Sequence, residues 1–335
     1  MNNIKVSILI PAYNVENYIE ECLHSLKCQT LKEIEVIIID DGSTDKTGEI
    51  AEMYAHSDQR FRVVHQSNKG LTQSRNVGLS LARGKYIGFV DGDDYVSKDA
   101  FEQLFLRADT YSADIVLGSV LYTYEDGTSH RVGDKSAVFQ SYPGTMEGKQ
   151  CFKLLMKTGC YIPMVWSNLY RLEFIRQNQL HFEAAFHEDE FFMPFELFLA
   201  KKVIDINIDF YFYRQRQGSI MHSDRNLIRR SESLFFINSR LKEFIKEKVN
   251  GKECDETEQA FLLQADSLYE RAQNLYENEL STSSKKCLFI ISEESVAGKY
   301  GVGTYISQLT QCFDLSAWNL NVIILHARSK EVQWK

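Results

Sequence analysis

Apolar and polar positions alternate along the first hundred residues in blocks that predict strands followed by helices. Val6–Pro11 is a near-continuous apolar run, as expected for a strand buried on both faces of a parallel sheet. Within Tyr18–Leu26 the apolar side chains recur at spacings of three and four, which predicts an amphipathic helix. Further strands are predicted over Glu35–Ile39, Phe61–His65 and Tyr86–Val90, and further helices over Thr44–Ala55 (N-cap Thr44 or Asp45) and Leu71–Ala82. This alternation predicts a doubly wound α/β sheet, which binds ligands beyond the C-terminal ends of its strands.

The pattern is more mixed after residue 100. The predicted elements are a strand at Asp114–Ser119, an antiparallel hairpin over Tyr122–Phe139 turning at Asp126-Gly127, and helical patterns around 147–157, 171–178 and 187–199. From 226 to 280 two apolar stripes separated by Asn250-Gly251 predict a helical hairpin. After the polar linker Ser281–Ser284, strands are predicted at Cys287–Ile291 and Val322–Leu325, with a glycine turn at Gly301-Val302-Gly303 and a helix at Thr304–Phe313 between them. We therefore expect domains at 1–225 and 226–280, and a partial α/β segment at 285–335.

Composition narrows the class of protein. The 335 residues are 44% hydrophobic and 25% charged, close to the averages for soluble globular proteins. Lys and Arg number 38 and Asp and Glu 46, a net charge of −8 without a long basic tract, which argues against a dedicated nucleic-acid binder. No apolar run approaches the ~20 residues that cross a bilayer, and the N-terminus resembles a buried strand more than a signal peptide. Seven cysteines without a CxxC motif indicate a reducing compartment and unpaired, mostly buried thiols. We expect a cytosolic enzyme or binding module.

Three of the predicted strand ends carry polar clusters: Tyr13-Asn14, Asp40-Asp41 and Asp91–Asp94. Asp91, Asp93 and Asp94 would repel one another in a single cleft, and a Mg²⁺ or Mn²⁺ ion bound together with substrate phosphates would relieve this repulsion. The alternative is an acidic turn that caps the next helix. Asp40 or Asp41 could accept hydrogen bonds from a nucleoside, although Asp-Asp-Gly-Ser also suits a plain turn.

Further candidates lie outside these clusters. Lys69 and Arg75 could pair with a diphosphate, while Gly78 could simply permit close helix packing. The acidic run His187-Glu188-Asp189-Glu190 leads into phenylalanines. Its acids could favour the helix dipole, or a carboxylate walled by Phe side chains could have a raised pKa and serve as a general base.

The segment Tyr211–His222 contains two arginines around a polar, glycine-containing stretch. Arg214 and Arg216 could belong to a lid that closes over a leaving diphosphate, and His222 could ligate the metal or be a surface residue. Trp166 and Tyr170 could stack on an acceptor sugar or pack in the core. Cys22 and Cys28 are expected in the core.

Taken together, these motifs resemble glycosyltransferase family 2, the inverting transferases with a GT-A fold. The resemblance rests on SILIPAYNVENYIEECLHSLKCQT, IIIDDGSTDKT, NKGLTQSRNVGLSLARGKYIGFVDGDD and FHEDEFF, and covers roughly residues 4–222. Asn168 departs from the W-x-K-x-Y stretch of many relatives. The resemblance implies that the nucleotide pocket is lined by Pro11, Ala12, Tyr13 and Asn14, that Asp40 or Asp41 contacts the base, and that Lys69, Arg75 and Arg216 lie near the donor. It also implies that Asp91 contacts the donor and that Asp93, with His222, binds the metal. Asp189 would be the catalytic base.

The resemblance implies transfer of a sugar from a nucleoside-diphosphate sugar, with uridine as the expected base, to an acceptor hydroxyl in polysaccharide or glycoconjugate synthesis. The acceptor could be a lipid-linked glycan at the inner face of the membrane, with peripheral membrane association, or a soluble glycan or a protein. A sugar nucleotidyltransferase and a non-catalytic sugar-nucleotide-binding module are the alternatives. The C-terminal stretch KKCLFIIS, GKYGVGTYISQLT and NVIILHA resembles the start of a family 4 (GT-B) transferase, or an unrelated accessory subdomain.

Overall fold

A computed structural model of the chain describes residues 4–124, 126–140, 142, 144–215, 226–282, 286–292 and 318–324. Its strands are β1 Val6–Ala12, β2 Ile34–Asp40, β3 Phe61–His65, β4 Tyr86–Phe89, β5 Tyr95–Val96, β6 Ile115–Tyr124, β7 Ser129–Val132, β8 Asn168–Arg171, β9 Val203–Gln215, β10 Lys286–Ser292 and β11 Trp318–Ile324. Its α-helices are α1 Ile19–Lys27, α2 Thr47–Ser57, α3 Leu71–Leu81, α4 Ala100–Tyr111, α5 Ser136–Phe139, α6 Gly148–Thr158, α7 Leu172–Gln177, α8 Glu188–Leu199, α9 Leu227–Val249 and α10 Glu256–Thr282. A 3₁₀ turn at Val165–Ser167 precedes β8.

The main sheet runs in the order β3-β2-β1-β4-β8-β6-β9-β5, with β7 paired to β6. Strands β1 to β4 are parallel to one another. Strand β8 is antiparallel to both β4 and β6, whereas β6 and β9 are parallel. The result is a mixed, largely parallel sheet with a GT-A-like arrangement, as predicted. Strands β1 and β2 are buried along their whole length, because helices cover both faces of such a sheet.

Helix α3 lies exceptionally close to β1. A Cβ atom added to Gly78 would stand 1.6 Å from Cδ1 of Leu9, so no larger residue fits there without moving the helix. Close packing at Gly78 is therefore confirmed. It fixes the helix that carries Arg75 against the central strand of the sheet.

Helix α2 begins at Thr47, three residues later than predicted, and neither Thr44 nor Asp45 is its N-cap. The preceding residues bond instead to the loop after β1. The Thr44 N–H donates to Oδ1 of Asn14 at 2.8 Å, and the Lys46 N–H to Oε2 of Glu16 at 2.9 Å. These long-range hydrogen bonds replace the first helical turn and join two of the predicted ligand-binding loops.

The predicted helical hairpin is present as α9 and α10, and it packs on α6 and α8. The rings of Phe152 and Phe261 stack with centroids 3.9 Å apart, and Phe195 meets Phe244 at 4.7 Å. Lys149 adds an ion pair to Glu258 at 3.0 Å. The hairpin therefore supports α8, the helix that carries Asp189.

The sequence prediction missed α4, β5, β8 and β9. Strand β9 spans 13 residues and was missed although its apolar and polar residues alternate as in a strand. It includes part of the segment that was expected to form a lid. The predicted hairpin is confirmed by the pairing of Tyr122 with His130, but its second arm ends at Val132 and helix α5 follows.

Toward the C-terminus, β10 and β11 form a parallel pair. The predicted glycine turn at Gly301-Val302-Gly303 and the helix at Thr304–Phe313 lie outside the described residues. Cys22 and Cys151 are buried free thiols, whereas Cys28 is exposed, so the placement of Cys28 in the core was wrong. In the part of the chain that the structure describes, no helix combines the length and apolar character needed to span a membrane.

Candidate active site

One buried arginine joins two predicted parts of the site. Arg75 on α3 is 1% exposed. Its Nη2 donates to Oδ1 of Asp91 at 3.1 Å, and its Nη1 donates to Oδ1 of Asp189 at 2.6 Å and to Oε1 of Glu188 at 2.7 Å. Three carboxylates around a guanidinium raise its pKa despite burial. The guanidinium thus holds three carboxylates in place, and the predicted contact of Arg75 with a diphosphate stays a prediction.

The acidic loop after β4 is held in place by Tyr211 on β9, another strand of the same sheet. The Tyr211 hydroxyl donates to Oδ2 of Asp94 at 2.8 Å and accepts from the Asp91 N–H at 3.0 Å. Burial, followed by the charges of Asp93 and Asp91, raises the pKa of Asp94 well above its usual range. Tyr211 was not singled out from the sequence, although its position in the aromatic run Phe210–Tyr213 was a usable signal.

Arg214, also on β9, was expected in a lid but is bound to this loop. Its backbone N–H donates to Oδ1 of Asp94 at 2.8 Å, and its Nε donates to the carbonyl oxygen of Asp93 at 3.0 Å. Its guanidinium lies over the rings of Tyr18 and Tyr95 and pairs with Glu21. Arg214 therefore fixes the aspartate loop against α1.

The aspartate loop suits a hard divalent cation. The negative charge of Asp93 raises the pKa of both Asp91 and Asp94, although burial is the larger cause for each. A divalent cation would offset this repulsion, and one or two carboxylates with substrate phosphates are the donor set that Mg²⁺ uses in nucleotide sites. Among the described residues no group of three His, Cys, Asp or Glu side chains is arranged as a complete metal site. The carboxylates of this loop match the protein part of that donor set, and an ion held there would take further ligands from the donor.

Asp189 lies in the first turn of α8 and is 14% exposed. Its second oxygen accepts from the Val165 N–H at 3.3 Å. Burial raises the pKa of Asp189 to about 7; the nearby Arg75 lowers it, and the charges of Glu188 and Asp91 raise it. The expected elevation of the pKa is thus present, and a carboxyl group with this pKa can exchange protons near neutrality.

Two neighbours fix the start of α8. His187 has φ 58°, and burial, followed by Arg230 and Arg271, lowers its pKa to about 4. Glu190 is bound by two nitrogens of Arg271, at 2.6 and 2.7 Å. Because Arg271 comes from α10, the helical hairpin is tied directly to the turn that carries Asp189.

Asp40 and Asp41, at the end of β2, are buried and bonded internally. Asp41 accepts from the N–H groups of Lys69 and Gly70 at 2.9 and 2.8 Å and from Gln66 at 2.7 Å. Asp40 accepts from the Ser43 N–H at 3.0 Å and contacts Nδ1 of His65 at 2.7 Å. These bonds shape the loops around the strand end, and the contact of either aspartate with a base stays a prediction.

The remaining donor-site candidates line the same edge of the sheet. Pro11 and Ala12 are buried at the end of β1, while Tyr13 is 48% exposed. Asn14 has φ 51° and accepts from Thr44. The Lys69 side chain is exposed. Arg216 and His222 lie outside the described residues, so their predicted roles stay predictions.

Trp166 and Tyr170 are both core residues, 7% and 0% exposed. Asn168 is buried as well, and its Nδ2 donates to the Tyr170 hydroxyl at 3.0 Å. Of the two possibilities left open for Trp166 and Tyr170, the structure therefore favours core packing.

Comparison with known proteins gives consistent matches. A model of the family described as "Glycosyl transferase family 2" matches residues 7–167. The uncharacterized glycosyltransferase EpsJ of Bacillus subtilis (strain 168) is 40% identical over 223 residues, 64% of this chain and 62% of EpsJ. The cholesterol galactosyltransferase of Borreliella burgdorferi is 34% identical over 273 residues, 79% of this chain and 74% of that protein. This chain thus spans under two thirds of the length of EpsJ.

Among solved structures, residues 1–349 of S. aureus TarS in complex with UDP-GlcNAc superpose with a TM-score of 0.60 at 21% identity. The match covers 91% of this chain and 79% of that one. At this identity the likeness concerns the fold.

Proposed function

Because this chain belongs to glycosyltransferase family 2, we propose that it is an inverting enzyme that transfers a sugar from a UDP-sugar to the hydroxyl of a glycan or glycoconjugate. One observation supports this most directly. A single guanidinium, that of Arg75, holds the carboxylates of Asp91 and Asp189 at 3.1 and 2.6 Å. A donor-side carboxylate and a candidate base are therefore fixed relative to each other, as a single displacement requires.

In the proposed reaction, Asp189 takes the proton of the acceptor hydroxyl while that oxygen attacks C1 of the sugar. The new C–O bond forms as the bond from C1 to the diphosphate oxygen breaks, and the nucleoside diphosphate leaves from the opposite face. An α-linked donor would therefore give a β-glycoside. Because the pKa of Asp189 is about 7, a substantial fraction is ionised at neutral pH.

Asp93, together with donor phosphate oxygens, would hold the Mn²⁺ or Mg²⁺ ion, which would supply positive charge to the departing diphosphate. Asp91 would orient the donor, and Tyr211 and Arg214 would keep the loop of Asp91–Asp94 in place. Tyr13 is an exposed ring at the end of β1 and would stack on the base. The exposed Lys69 would neutralise phosphate charge.

Three parts of the sequence prediction stay proposals. We propose the domain ranges 1–225, 226–280 and 285–335, noting that the hairpin of α9 and α10 packs on α6 and α8. The family 4 resemblance of the last segment is a second proposal. The third is a site of action at the inner face of the membrane, with a lipid-linked glycan, a soluble glycan or a protein as acceptor.

The decisive experiment incubates the chain with a panel of sugar nucleotides and Mn²⁺ in the presence of acceptor glycans. We expect release of a nucleoside diphosphate from one or a few donors and a product of inverted anomeric configuration by NMR. Release of pyrophosphate would indicate a nucleotidyltransferase. Saturable donor binding without turnover on a broad acceptor panel, or a retained configuration, would contradict the proposal.

A further inference from the structure

A row of aromatic rings in contact, some stacked and some tilted, extends from the candidate active site to the exposed β6–β7 hairpin. Trp166 lies against Tyr213 with centroids 5.0 Å apart and planes inclined by 17°. Tyr213 contacts Tyr122 at 5.0 Å, and Tyr122 contacts His130 at 5.4 Å. His130 in turn stacks on Tyr124 at 5.6 Å. We call these five residues the aromatic row.

Strand register places the row on one face of the sheet. Tyr122 on β6 pairs with Tyr213 on β9 and with His130 on β7, so the three side chains are lateral neighbours on adjacent strands. Tyr124 follows Tyr122 by two residues and points to the same face. The row is therefore a continuous surface built by pairing of three strands.

Exposure increases along the row with distance from the active site. Trp166 is 7% exposed, Tyr122 and Tyr213 are partly exposed, and Tyr124 is 39% exposed beside the exposed His130. Cross-strand aromatic pairs often contribute to stability alone. A purely stabilising role does not require the rings to become steadily more exposed along the row.

The buried end of the row contacts Tyr211, which positions the aspartate loop. Trp166 packs on Tyr211 at 4.4 Å, and the Tyr211 hydroxyl holds Asp94 and the Asp91 N–H. Trp166 also follows Val165, whose N–H donates to Asp189. The buried end of the row therefore lies next to residues that hold the aspartate loop and the candidate base.

We infer that the aromatic row binds the acceptor, and that the acceptor is an oligosaccharide whose sugar rings lie on Tyr122, His130 and Tyr124. This inference rests on the proposed function and deepens it. The apolar face of a pyranose presents C–H groups with partial positive charge, which are attracted to the negative faces of aromatic rings. The tyrosine hydroxyls and the imidazole nitrogens stand at the ring edges, where they can meet sugar hydroxyls.

The test measures binding of the chain to an array of immobilised oligosaccharides of two to eight residues. We expect the wild type to bind a subset, and Tyr124→Ala combined with His130→Ala to reduce that binding at least tenfold. Tyr124→Phe keeps the ring and should retain most of it. Tyr142→Ala is the matched control, because Tyr142 is 38% exposed and lies outside the row; it should bind as the wild type does.

Donor hydrolysis, measured as nucleoside-diphosphate release without acceptor, separates this inference from the proposed function. We expect it to be unchanged in all three variants, with melting temperatures close to that of the wild type. Unaltered saccharide binding by the double variant, or a wild type that binds no oligosaccharide on the array, would overturn the inference. Failure of the wild type to turn over any sugar nucleotide would count against the proposed function alone.

Discussion

Two parts of this site are stabilised in different ways: the donor side, at the ends of β1 and β2, and the base side, around Arg75 and the first turn of α8. At the ends of β1 and β2, polar side chains such as Asp41 and Asn14 accept hydrogen bonds mainly from backbone N–H groups of neighbouring loops. On the base side, charged groups bond to one another: Arg75 with three carboxylates, and Glu190 with Arg271. The first arrangement holds the loops in one conformation, and the second holds buried charged groups next to their counter-charges.

The difference has an energetic consequence. A carboxylate bonded to backbone amides keeps some of its partners when any one side chain is replaced. In contrast, a buried charge cluster depends on each member, since removal of one leaves the others uncompensated at low dielectric. We therefore expect substitutions on the base side to have the larger effects on both stability and activity.

Replacing Arg75, the cation at the centre of the base-side cluster, should have the largest effect on stability and activity. Arg75→Met should lower the free energy of unfolding by about 3–5 kcal/mol, because three carboxylates lose their counter-charge, and it should abolish transfer. Chemical denaturation and product assays measure both. Arg83→Met is the matched control. Arg83 is 64% exposed, and its one carboxylate partner, the buried Glu35, would keep the hydrogen bonds from the Ser7 hydroxyl and the residue-83 backbone N–H; the cost should be about 1 kcal/mol. Equal losses in the two variants would contradict the distinction.

Removing the candidate base should affect chemistry without affecting donor binding. Asp189→Asn is expected to lower kcat by about 10²–10⁴-fold, the usual contribution of a general base, while the Kd for the sugar nucleotide stays near that of the wild type. Steady-state kinetics and calorimetry separate the two quantities. Normal turnover by this variant would remove Asp189 from the mechanism.

The donor side is tested through the metal. Asp93→Ala should weaken nucleotide binding in Mn²⁺ by at least roughly tenfold, because even an outer-shell change at a metal site costs that much. Binding by the wild type in EDTA should fall to the level of the variant, whose affinity should no longer respond to Mn²⁺. A variant that still binds more tightly when Mn²⁺ is added would show that Asp93 is not a ligand.

The smallest effect concerns pH. Because Asp189 must be ionised to accept a proton and its pKa is about 7, kcat should rise with pH through that region. The charge of Glu188 raises the pKa of Asp189, so Glu188→Gln should move this limb of the profile to lower pH. Arg83→Met serves again as the control and should leave the profile in place. A shift to higher pH in Glu188→Gln would show that another group titrates.

Much of the fold and part of the site could be predicted from patterns of neighbouring residues in the sequence. The apolar runs of β1 and β2, the alternation of strands and helices to residue 90, and the helical hairpin depend on side-chain periodicity, which neighbouring residues determine. The polar strand ends at Asp40-Asp41 and Asp91–Asp94 could be recognised for the same reason. Family membership also followed from ordered motifs within the first two hundred residues.

Other features depend on residues far apart in the chain. Helix α2 begins later than predicted because Asn14 and Glu16 accept hydrogen bonds from residues that precede it. The partners of Arg75, which come from positions 91, 188 and 189, could not be deduced from spacing. Nor could the aromatic row, since register alone places Tyr213, Tyr122 and His130 side by side.

The sequence by itself therefore determined the family, the α/β sheet and the residue types at the strand ends, because these depend on composition and on patterns within a few turns. Only the tertiary structure decided which charges meet. It pairs Arg75 with the carboxylate of the candidate base, and it joins the helical hairpin to the turn that carries that base through the ion pair of Arg271 with Glu190. Electrostatic energy depends on distance and burial in three dimensions, and neither can be obtained from separation along the chain.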